Sequence, residues 1–71
     1  MRDYLLELRT KQNESQQDVA DSISVSRQYY AMIEFGSRQK KMDITVLTNL
    51  ANHFGIPPKA LLEMEQAHDS A

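Results

Sequence analysis

Cysteine and tryptophan are absent from this 71-residue chain. Without thiols there is no disulfide staple, no thiolate zinc site and no cysteine nucleophile. Glycine and proline number only two each, which excludes a loop-rich or low-complexity protein. Apolar runs such as Leu5-Leu6 and Leu61-Leu62 fall far short of the roughly 20 residues a membrane helix needs. The charged opening Met1-Arg2-Asp3 is unlike an export signal, so a soluble, cytoplasmic protein is expected. Glycine-rich phosphate loops are missing too. The two histidines, His53 and His68, are not at a metal-binding spacing, and the serines sit at caps and turns where their hydroxyls serve backbone donors. No catalytic group, metal or cofactor is expected. What remains, at 41% hydrophobic and 25% charged residues, is the balance of one small globular domain. A chain of this size buries only about 60% of the surface its unfolded form exposes.

The net charge of -2 conceals a segregation. Residues 27–41 carry Arg27, Arg38, Lys40 and Lys41 against one carboxylate, Glu34, while the segments on either side are acidic. An acidic chain with one cationic window can present that window to a polyanion.

Periodicity predicts five short helices. In the first, Leu5 and Leu8 share a face with Tyr4 nearby, Arg2, Glu7 and Lys11 look outward, and Asn13 supplies a left-handed stop. Ser15 with Asp18 three residues on forms an approximate capping box for the second, whose stripe is Val19, Ala20 and Ile23. The alternating run from Ser22 to Ser26 is too short and partnerless for a strand and reads as a turn. Ser26 caps a third helix from Arg27 to about Phe35, closed by Gly36. Asp43 caps a fourth carrying Leu47, Leu50, Ala51 and Phe54, closed by Gly55. Pro58 suits the first turn of a fifth that presents Leu61 and Leu62. The domain is therefore placed at residues 1–64, with a polar tail at 65–71.

The second and third helices are joined by a turn short enough to cross them at roughly 90–120°, which needs a small residue at the approach and apolar residues beside it. Ala20 fills the first need; Ile23, Val25, Tyr30 and Ile33 fill the second. Arg27, Gln28 and Met32 are left on the opposite side of the third helix.

The run from Ser15 to Arg27, followed by Ile33-Glu34-Phe35-Gly36, resembles the helix-turn-helix of the phage-repressor and Cro family of DNA-binding proteins. Leu8-Arg9, Leu47, Leu50-Ala51, Phe54-Gly55-Ile56 and Leu61-Leu62 are similar to that family's other helices, so the resemblance covers residues 4 to 63. It implies an all-α, five-helix lambda-repressor-like fold, with the helix-turn-helix formed by helices 2 and 3. The implied function is a sequence-specific transcriptional regulator, in the repressor mode, that binds a double-stranded DNA operator as a homodimer. Matched positions give Arg27 and Gln28 the role of reading guanine and adenine edges and give Met32 a thymine methyl or sugar. Gln16, Ser26, Tyr29, Arg38, Lys40 and Lys41 fall at phosphate-contacting positions. Arg9 and Glu34 are implied to meet as a partly buried ion pair. Leu61, Leu62 and Met64 are the dimer candidates, because exposed apolar side chains there invite a partner.

Three positions depart from the family pattern. Ser24 stands where glycine is usual, Tyr30 replaces an aliphatic inner residue, and Glu14 occupies a commonly apolar site. A second reading from a different class keeps the fold and makes it a protein-interaction module, such as an antitoxin or anti-repressor, working through the acidic segments or the Tyr29–Met32 surface.

Overall fold

The computed structural model describes residues 1–36 and 42–70, with side chains as far as Ala67. Arg38, Lys40 and Lys41, the loop cations of the expected phosphate set, lie outside the described residues, as does the side chain of His68. Every described element is a helix: α1 (Asp3–Lys11), α2 (Gln16–Ser22), α3 (Arg27–Phe35), α4 (Ile44–Phe54) and α5 (Pro58–Ser70).

Local chemistry sets the boundaries. Asn13 adopts φ 57° and turns the chain after α1. At the start of α2 the Ser15 hydroxyl accepts from the Asp18 amide at 3.1 Å, and the Asp18 carboxylate accepts from the Ser15 amide at 2.9 Å. Those bonds, the backbone one first, hold the Asp18 carboxyl below its usual range. The shorter aspartate thus completes the capping box that glutamate usually makes. Ser26 and Asp43 accept from the amides three residues ahead and start α3 and α4. Gly36 and Gly55, at φ 73° and 71°, end those helices in the left-handed conformation. At Gly36 bulk is excluded as well, since an added Cβ would lie 3.2 Å from the Met1 Cα.

One apolar core joins the helices. Leu5, Val19, Ala20, Tyr30, Leu50, Ala51 and Leu61 are fully buried, with Ile23, Ile33, Val46, Leu47 and Phe54 nearly so. Helix α2 packs on α3 and α4 on α5, while α1 reaches α3 and α2 reaches α4. Ala20 sits at the α2–α3 approach, and the Val25 amide donates back to its carbonyl at 3.0 Å.

Three expectations are corrected by the structure. Arg2 does not look outward: it is 3% exposed. It precedes the first helical residue, so helical face-counting does not apply to it. Its Nε and Nη2 donate to the Glu65 carboxylate at 2.8 Å each, and its Nη1 donates to the Ile33 carbonyl at 2.6 Å. The polar end is not simply a tail, because α5 continues through Ser70 and Glu65 is buried. Leu61 cannot serve a dimer contact, being wholly buried in the chain's own core. Leu61 and Glu65 are four residues apart and share the inner face of α5, whereas Leu62 and Met64 turn to solvent at 40% and 37% exposure.

Ser24 is left-handed at φ 62°, so the turn does carry a side chain where the backbone favours glycine. Ser24→Gly should raise stability by about 0.5–1 kcal/mol, the relieved strain exceeding the flexibility gained by the unfolded chain. A urea midpoint equal to or below the parent's contradicts this. The Arg2 pair makes a sharper forecast. Glu65→Ala strands a buried guanidinium and should cost about 3–5 kcal/mol; a loss under ~1 kcal/mol would mean that α5 does not depend on it.

Candidate nucleic-acid interface

Helix α3 has two unlike sides. Tyr30, Ile33 and Glu34 are buried against the other helices. Arg27, Gln28, Tyr29, Met32 and Phe35 are exposed, Met32 at 42% and Phe35 at 66%. The three side chains expected to read bases are therefore clear of the core. Tyr29, 38% exposed, and Ser26, whose hydroxyl caps α3 by accepting from the Tyr29 amide at 3.0 Å, lie at the same N-terminal end.

The buried side is held by a carboxylate. Glu34 is 1% exposed and accepts four hydrogen bonds. Arg9 of α1 donates twice, from Nε to Oε2 at 2.8 Å and from Nη2 to Oε1 at 3.0 Å. Gln16 of α2 donates its Nε2 to Oε1 at 3.0 Å, and the Tyr30 hydroxyl donates to Oε2 at 2.8 Å. Burial pushes the Glu34 carboxyl upward, but the bonds from Arg9, Gln16 and Tyr30 outweigh it and hold the group below the ordinary glutamate range. Tyr30 shows the converse: burial first, then the bond to Glu34, drive its phenol upward, so it stays a protonated donor. Arg9 also donates from Nη1 to the Glu14 carbonyl at 3.0 Å, which fixes the chain between α1 and α2.

Gln16 is partly committed by this network. A carboxamide carries two N–H donors, and one of them points at Glu34. The side chain thus stands beside α3 in a fixed orientation. It lines an open depression of about 330 Å³ with Met1, Ala31, Met32, Glu34 and Phe35. Two of the residues given to DNA, Gln16 and Met32, are brought together there, while Arg27 and Gln28 lie at the other end of the helix.

Two links were not read from the sequence. In one, the His53 Nε2 meets the Glu14 carboxylate at 2.8 Å. The polar residue at a commonly apolar site is explained by that partner, and the pair fastens α4 to the α1–α2 connection. The Arg2–Glu65 pair is the other, joining residues 63 apart in sequence. Tyr4 adds to it, its hydroxyl donating to the Glu65 carboxylate. Among the described residues no group of three or more His, Cys, Asp or Glu side chains is placed to hold a metal ion. None of the described helices is long and apolar enough to cross a membrane.

A family profile described as helix-turn-helix matches residues 5–61. Comparison with curated proteins and with solved structures returns no match.

The buried carboxylate sets a pH dependence. Its folded-state pKa lies below the unfolded value of about 4.3, so its contribution is complete above that value and disappears as pH falls through the lower folded one. Urea midpoints measured from pH 7 to pH 3 should fall in the acid range for the parent. Glu34→Gln should start about 3–5 kcal/mol less stable at pH 7 and lose less on acidification; parallel curves would refute the role given to Glu34.

Proposed function

Because the chain belongs to the phage-repressor and Cro type of the helix-turn-helix family, we propose that it is a sequence-specific regulator of transcription that reads double-stranded DNA with α3. The observation that carries this reading is the two-sidedness of α3: Arg27, Gln28 and Met32 are exposed while Tyr30, Ile33 and Glu34 are anchored beneath them. An exposed helix of 9 residues with a rigid underside fits the major groove, which admits an α-helix and offers a different donor and acceptor pattern for each base pair.

Roles follow from side-chain chemistry. The Arg27 fork pairs with guanine O6 and N7, and the Gln28 amide with adenine N6 and N7. Met32 touches a thymine methyl or a sugar. The remaining N–H of Gln16, together with Ser26, Tyr29, Arg38, Lys40 and Lys41, goes to phosphates and sets register. Two copies meet through Leu62 and Met64 of α5 and place their reading helices on half-sites about 34 Å apart. The mode is repression, since a small domain seated on an operator acts first by occupying it. The alternative of an antitoxin or anti-repressor module remains the outcome if no duplex is bound.

Selection from random duplexes tests the reading. It should return a partly palindromic site, and Arg27→Ala or Gln28→Ala should relax preference at one base pair per half-site, by about 1–3 kcal/mol, without abolishing binding. Affinity should fall with salt at a log-log slope of about -0.9 per phosphate engaged, and Arg38→Ala or Lys40→Ala should flatten it. No enriched sequence, or binding indifferent to these variants, refutes the proposal.

A further inference from the structure

Phe35 is the large apolar side chain of α3 that nothing above employs. It ends the helix, is 66% exposed, and lines the same depression as Gln16 and Met32. Met32 and Phe35 are three residues apart and stand on adjoining turns of one side, about 4.5 Å apart along the axis. A large exposed ring beside a second exposed apolar residue is a surface made for contact.

The charge of the neighbouring sequence selects the partner. Phe35 lies within the cationic window, between Arg27 and the group Arg38, Lys40 and Lys41. The carboxylate at the floor of the depression, Glu34, is buried and paired with Arg9. A second copy docking here would set two cationic windows against each other, which like-charge repulsion opposes. A polyanion meets no such barrier. If the N-terminal residues of α3 reach the base edges, its C-terminal end rises toward the strand that borders the groove. Apolar side chains at that level meet the carbon face of deoxyribose.

Resting on the DNA-reading role of α3, we propose that Phe35 and Met32 form an apolar wall that packs on the deoxyribose of the nucleotide whose phosphate Gln16 holds. Phe35 is an affinity contact without charge. It strengthens binding equally at low and high salt, unlike the lysines and arginines that follow it in the chain.

Anisotropy titrations on the duplex selected with the parent, from 50 to 300 mM KCl, test this. Phe35→Ala should bind about tenfold more weakly at every salt concentration, with the parent's slope, as expected for losing roughly half of a buried ring. Phe35→Leu should keep most of the affinity. Phe35→Lys should steepen the slope by about 0.9, because an ammonium at that level finds a phosphate. Alanine and lysine variants both within twofold of the parent, at unchanged slope, overturn the proposal and leave the DNA-reading role standing. A parent dimer in sedimentation that Phe35→Ala dissociates also overturns it, the ring then being a self-contact. If the parent binds no duplex, the reading on which the proposal rests fails as well.

Discussion

One buried carboxylate organises this molecule. Glu34 gathers a guanidinium from α1, a carboxamide from α2 and a phenol from its own helix, and every one of those donors is bound to it within 3.0 Å. Taking a carboxylate out of water costs several kcal/mol, which only a full set of donors offsets. The cluster therefore forms complete or forms badly. Its geometry fixes how α3 sits on α1 and α2, and so which side chains of α3 face outward.

A second buried pair governs the other end. The Arg2 guanidinium spans from Glu65 on α5 to the Ile33 carbonyl in the last turn of α3, and its amide donates to the Glu34 carbonyl at 2.9 Å. The first residues of the chain thus close against the last helix and the end of α3. Charged pairs do this where a small apolar core leaves little margin. Such pairs add little or no net stability over an apolar replacement, but a half-made pair is expensive, so misplaced arrangements of the helices are disfavoured. The His53–Glu14 link plays a lesser part at the α1–α2 connection.

Much of the fold was readable in advance because its signals are local. Capping residues Ser15, Ser26 and Asp43, the left-handed stops Asn13, Gly36 and Gly55, and the stripes of α2 and α4 each lie within a few residues of what they control. Tyr30, a phenol at an inner position where the family has an aliphatic residue, finds an acceptor for its hydroxyl in Glu34 one turn further on. The failures share the opposite cause. Nothing near Arg2 announces Glu65, and nothing near Glu14 announces His53, since long-range pairing of charges leaves no periodic trace. Leu61 and Leu62 look alike in the sequence, yet consecutive helical positions face about 100° apart, and only Leu62 is exposed. The bifunctional position of Gln16, tied to Glu34 on one side and open to the depression on the other, became visible only with both helices in place.

The account depends on the outer side of α3 being the surface a duplex meets. Titrating isotopically labelled protein with its selected duplex, and following backbone and side-chain resonances, measures this directly. Shifts should concentrate at Arg27, Gln28, Tyr29 and Met32 and at the Gln16 carboxamide, with the buried residues of α4 nearly still. Shifts confined to α1 or α5, leaving the exposed side of α3 unmoved, would contradict it.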